Sequence, residues 1–172
     1  MKVFDFEDWE LTQDSLKDVL DYDSKTGKFK WLVKPSARVA LGQQAGSLDV
    51  KGYRIIKIAG KIYKAHRLAW LWVYDEWPKM DLDFINRNPD DNRIKNLREA
   101  TKHDNGGNSF VKRDGLKGAY WHKRSGRWMA SIREEGKQVW LGYHDTEQQA
   151  HEAYYKAAKK VFGKFAYSGK RT

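Results

Sequence analysis

The stretch from Leu82 to Asn108 gathers the residue types that handle charged-oxygen chemistry. It runs Leu82-Asp83-Phe84-Ile85-Asn86-Arg87-Asn88-Pro89-Asp90-Asp91-Asn92-Arg93-Ile94-Lys95-Asn96-Leu97-Arg98 and, after Glu99-Ala100-Thr101, Lys102-His103-Asp104-Asn105-Gly106-Gly107-Asn108. Carboxylates and carboxamides are hard oxygen donors that suit Mg2+ and leave positions open for phosphate and water. Cutting a phosphodiester also needs a base to take a proton from water. Composition alone reads the same run as loop, with Asp90-Asp91-Asn92 as a turn. The joint presence of Asp83, Asn96 and Asn105 inside a longer framework favours chemistry.

That framework has recognisable elements. Thr12 is placed to cap a short helix through Leu20, with Leu16, Val19 and Leu20 on one face. Asp23-Ser24-Lys25-Thr26-Gly27 is a turn that leads into a strand around Phe29-Lys30-Trp31-Leu32. Tyr53 to Ile58 and Lys61 to Lys64 read as a hairpin with a tight turn at Ala59-Gly60. From Ala65 the spacing turns helical, with His66, Ala69, Trp70 and Val73 in phase. Lys112-Arg113-Asp114-Gly115 reads as a linker.

The C-terminal third offers three strands, around Gly118–His122, Arg127–Arg133 and Lys137–Gly142. Alternation puts Ala119, Trp121, Trp128, Ala130, Ile132, Val139 and Leu141 on an apolar face. Tyr120, His122, Arg127, Ser131, Arg133, Gln138 and Trp140 fall on the other. Thr146-Glu147-Gln148-Gln149 is a capping box, after which Ala150, Ala153, Tyr154, Ala157, Ala158 and Val161 recur at helical spacing up to Gly163. The helix covers the apolar face and leaves a cationic, aromatic one. Such a face fits the major groove of DNA, where Arg makes bidentate contacts to guanine; it also fits single strands, by stacking.

Composition agrees. The 172 residues suffice for one large domain or two small ones. The formal net charge is +10, and it is uneven: residues 1–24 are acidic, whereas 25–60 and 111–172 are strongly basic. Two basic stretches suggest two surfaces for a polyanion, the first centred on Lys51, Arg54 and Lys57. Absence of cysteine excludes disulfides, zinc–thiolate sites and thiol catalysis. No apolar run is long enough to span a bilayer, and Met1–Asp8 lacks an apolar signal core, so a cytoplasmic protein is expected. No heptad pattern signals a dimer, which makes a monomer the expectation.

The C-terminal module resembles the Apetala-type DNA-binding domain of plant ethylene-response factors, also present in phage and bacterial endonucleases. Lys117-Gly118, Arg127-Trp128, Ser131-Ile132-Arg133, Val139-Trp140-Leu141-Gly142 and Ala150-His151-Glu152-Ala153-Tyr154 carry the likeness. It implies a sheet lying in the major groove, with Lys117, Tyr120, His122, Arg127, Arg133, Gln138 and Trp140 facing DNA. Tyr120, His122 and Gln138 stand where that family often has Arg, so base preference does not carry over.

Residues 82–108, with His66-Arg67-Leu68-Ala69-Trp70 and Trp77-Pro78, resemble the HNH motif of phage homing endonucleases. The resemblance implies one divalent ion, Mg2+ or Mn2+, held by Asp83 and Asn105, with Asn96 orienting a catalytic histidine. That histidine follows the Asp in the family, and here the position is Phe84, which cannot accept a proton. Loss of a general base typically costs about 10²–10⁴-fold in rate. Three readings stay open: a natural binding-only relative, a substitution that traps uncut DNA, or a base supplied by His66 or His103. The expected fold is α+β: N-terminal helix and hairpins (1–64), a ββα-metal nuclease core (65–110), a linker (111–114), then a three-stranded antiparallel sheet on one helix (115–172). The expected function is a DNA-binding homing endonuclease with impaired hydrolysis of duplex DNA. The alternative is an inactive DNA-binding protein or regulator derived from one.

Overall fold

A computed structural model of the chain describes residues 4–7, 9–108 and 115–168; the expected linker at 111–114 lies outside them. The chain is α+β and divides into two compact units, 1–99 and 100–172. The division therefore falls inside the stretch expected to be one nuclease core.

In the first unit, α1 (Gln13–Val19) starts at Thr12, whose hydroxyl and backbone exchange hydrogen bonds with Ser15 in a capping box. Leu20 leaves the helix and opens β1 (Leu20–Asp23), where a longer helix was expected. β1 pairs antiparallel with β2 (Lys28–Trp31) across a turn held by Asp23, which accepts from Lys25 N–H and the Thr26 hydroxyl at 2.8 Å each. β3 (Ser47–Leu48), β4 (Arg54–Ile58) and β5 (Lys61–Lys64) form a three-stranded sheet. Ala59 and Gly60 both take positive φ, as the expected tight hairpin requires.

β5 runs directly into α2 (Ala65–Tyr74), which buries Ala65, His66, Leu68, Ala69 and Leu71 and leaves Val73 exposed. β6 (Asp81–Phe84) pairs with β7 (Leu97–Ala100) around the loop 85–96. Leu16, Val19, Leu20, Phe29, Ile56, Ile58 and Leu68 fill this core.

In the second unit, α3 (Lys102–Asn108) precedes β8 (Ala119–His122), β9 (Arg127–Glu134) and β10 (Lys137–His144), an antiparallel sheet ordered β10-β9-β8. α4 (Glu147–Phe162) begins at the expected capping box of Thr146 and Gln149 and packs on the sheet. Small residues let it sit close: Ala119, Ala130 and Ala150 form one buried cluster. Gly118 has φ +79°, and a Cβ there would lie 2.0 Å from the Tyr154 ring, so this contact admits only glycine. Trp121 and Val139, expected beneath the helix, are instead exposed. Trp121 meets Trp128 edge to face, 5.5 Å between centroids.

Candidate active site and nucleic-acid interface

The loop joining β6 to β7 is shaped by its own polar side chains. Asn96 is buried; its Oδ1 accepts from Asn86 N–H at 3.0 Å, and its Nδ2 donates to Asn86 Oδ1 at 3.0 Å and Asp91 O at 2.8 Å. Asp91 pairs with Arg93, whose guanidinium holds the carboxyl below its ordinary range. From outside the loop, Tyr22 Oη donates to Asn92 O at 2.7 Å, and burial pushes its phenol up to about 12. Arg54 grips Asp90 through two bonds of 2.8 and 2.7 Å. Sequence reasoning placed Arg54 on a DNA-gripping hairpin; its guanidinium is instead spent on the loop. Lys51 and Lys57 of the same stretch are exposed.

Asp83 is buried at the inner end of β6. Its Oδ2 accepts from Arg98 Nε at 2.8 Å and pairs with Arg98 Nη2 at 2.7 Å. Phe84 is buried too, packed 5.8 Å from the Tyr53 ring and edge-to-face 5.0 Å from His66. His66 has no hydrogen-bond partner for Nδ1 among the described residues. Burial, reinforced by Lys64 and Arg67, lowers its pKa to about 4. A buried imidazole that acidic is a poor acceptor of a proton from water. His103, the other candidate base, lies on α3 in the second unit with its ring 4.9 Å from Phe162.

Asn105 sits half-buried on α3, where its N–H donates to Thr101 O at 3.0 Å. Lys117 fixes that helix. The resemblance placed Lys117 towards DNA, but it is buried: Nζ donates to the carbonyls of Gly107 (2.7 Å) and Gly106 (3.3 Å) and lies over the Tyr154 and Tyr167 rings. Gly107 packs so tightly on Phe162 that a Cβ would come within 2.6 Å. The carbonyls closing α3 thus take the cation the sequence offered to phosphate.

The sheet presents the other expected residues. Register places Tyr120 beside Met129, His122 beside Arg127, Arg133 beside Gln138 and Ser131 beside Trp140. Trp140 is 61% exposed. Arg127 pairs with Asp145 at 2.8 Å, an exposed contact that competes weakly with phosphate. Gln138 Nε2 donates to Ser131 Oγ at 3.0 Å, and His122 Nδ1 lies 2.8 Å from Ser125 Oγ.

Between Trp140 and Gly142 the register slips by one residue, because Leu141 bulges into the core. The slip brings Tyr143 onto the cationic face, against Trp140 (5.6 Å) and His122 (5.2 Å). Strict alternation could not find Tyr143; Gly142, at φ +109°, was the signal for the bulge.

Comparison with known proteins agrees with both halves. Residues 63–106 match the HNH endonuclease family, and residues 115–164 match the AP2 domain. Along the chain, a stretch matching the HNH endonuclease family is thus followed by one matching the AP2 DNA-binding domain. No curated protein and no solved structure gives a significant match.

HNH endonucleases generally use a divalent metal ion, which makes the Asp83 donor set the test of fit. As arranged, it does not fit. The buried Asp83 carboxylate is paired with Arg98 at 2.7 Å. The carboxylate that an ion would need is committed to a guanidinium.

Proposed function

We propose that this chain is a duplex-DNA-binding protein of the phage homing-endonuclease type whose strand-cutting centre is disabled. The observation that carries the proposal is Phe84: the position that should hold the base is a buried aromatic wedged between Tyr53 and His66. Neither candidate replacement restores the chemistry, since His66 is buried and His103 belongs to the packing of α3 on Phe162. Mg2+ or Mn2+ is the ion of this lineage, with Asp83 and Asn105 the positions assigned to it; at Asp83 it would have to displace Arg98. Asn96 braces the loop in place of orienting a base. The protein acts as a monomer in the cytoplasm of a bacterial host.

DNA binding rests on the sheet of the second unit. Arg127, Arg133 and Gln138 offer hydrogen bonds to base edges and phosphates, while Tyr120, His122, Trp140 and Tyr143 offer flat contact surface. Lys51 and Lys57 add phosphate contacts in the first unit.

Duplex affinity measured by fluorescence anisotropy at several salt concentrations tests this reading. Arg133→Ala and Trp140→Ala should each cost about 1–3 kcal/mol, the range for one good base contact. Unchanged affinity in both variants would move the interface elsewhere.

A further inference from the structure

The second unit holds a cavity of about 650 Å³ that the roles above leave unused. It exists because β8 is short. Its pairing with β9 ends at Ala119↔Ala130, and Ser131 N–H reaches Gly118 O at 3.3 Å, while β9 continues to Glu134. The exposed rings of Tyr120 and His103, with the buried Tyr154 and Phe162 of α4, supply aromatic wall; the exposed Lys102 of α3 and Arg133 of β9 supply positive charge, and Glu135 one carboxylate. Gly106 also lines the cavity, and a Cβ built there meets nothing within 4 Å. The surface is continuous with the cationic sheet face, since Tyr120, Ser131 and Arg133 belong to both.

Exposed rings beside two cations are the chemistry that holds a base and its phosphate together. The volume lies within the usual range for small-molecule sites, about 300–1,000 Å³, and exceeds the needs of a bare phosphate. We propose that this cavity receives a nucleotide turned out of the duplex next to the sheet, its base against the exposed rings of Tyr120 and His103 and its phosphate at Lys102 and Arg133. This rests on the DNA-binding reading above. Turning a base out costs a few kcal/mol in a paired duplex and least where the base is already unpaired, so the site should favour DNA carrying an unpaired nucleotide.

The test compares two duplexes of one sequence at low salt, one fully paired and one with a single unpaired adenine. The intact protein should bind the bulged duplex at least about tenfold more tightly, equivalent to about 1.4 kcal/mol. Gly106→Phe grows a side chain from an open position on α3, and Lys102→Glu reverses a charge beside the cavity. Each should remove the preference, and Gly106→Phe should keep the affinity for the paired duplex. Equal binding of both duplexes by the intact protein would overturn the proposal, as would a preference that survives both substitutions. Failure to bind either duplex would instead overturn the DNA-binding reading, and this proposal with it.

Discussion

At the scale of single residues, the proposed loss of cutting rests on how the centre of the first unit is packed. Phe84 fills the space against His66 and Tyr53, and Arg98 takes the charge of Asp83. His66 bears the consequence. Its pKa of about 4 lies below the ordinary 6.5, so between those values the unfolded chain binds the proton that the folded chain excludes. Folding stability therefore rises with pH across that window and falls on acidification through it, by roughly 3 kcal/mol at 1.36 kcal/mol per pH unit. Urea titrations at pH 6.5 and pH 4 should show that loss in the native protein, and His66→Gln should remove most of it. Asp83, Asn96 and Asn105 were proposed from the sequence through the family resemblance, which matches residue types. The commitments of Arg54 to Asp90 and of Lys117 to α3 were not legible there, because a cation's partner is chosen by three-dimensional proximity.

At the scale of elements, most of the fold followed from local rules. The helix cap at Thr12, the capping box at Thr146, the Ala59-Gly60 hairpin and the face of α4 each rest on contacts within a few residues. What escaped was set by tertiary contact: the bulge at Leu141 that turns Tyr143 outward, and the exposure of Trp121 beyond the helix. Two substitutions probe how α3, α4 and the sheet hold one another. Gly118→Ala puts a methyl into the Tyr154 ring at a positive φ, and should lower the stability of the second unit by at least about 3 kcal/mol in thermal or urea unfolding. Lys117→Met removes a charged donor to the last carbonyls of α3, a bond worth about 1.5–3 kcal/mol. Amide exchange in α3 should then speed up about tenfold or more, while α2 in the first unit keeps its native rate.

At the scale of the whole molecule, charge and domain order point to DNA. The net charge of +10 is drawn chiefly from residues 25–60 and 111–172, and the acidic residues 1–24 keep it from being larger. An HNH endonuclease domain precedes an AP2-type domain along the chain. The boundary between compact units nevertheless falls at Glu99 and Ala100, because α3 packs with α4 and against Lys117. Sequence likeness grouped α3 with the residues before it; packing groups it with those after. The most direct test of a disabled centre is to incubate the protein with Mg2+ and a genomic DNA library, recover the bound fragments and map new ends. Bound duplex and no new ends are expected from the native protein, whatever Phe84→His restores in a parallel reaction. New ends made by the native protein, with Phe84 in place, would contradict the loss of cutting proposed for it.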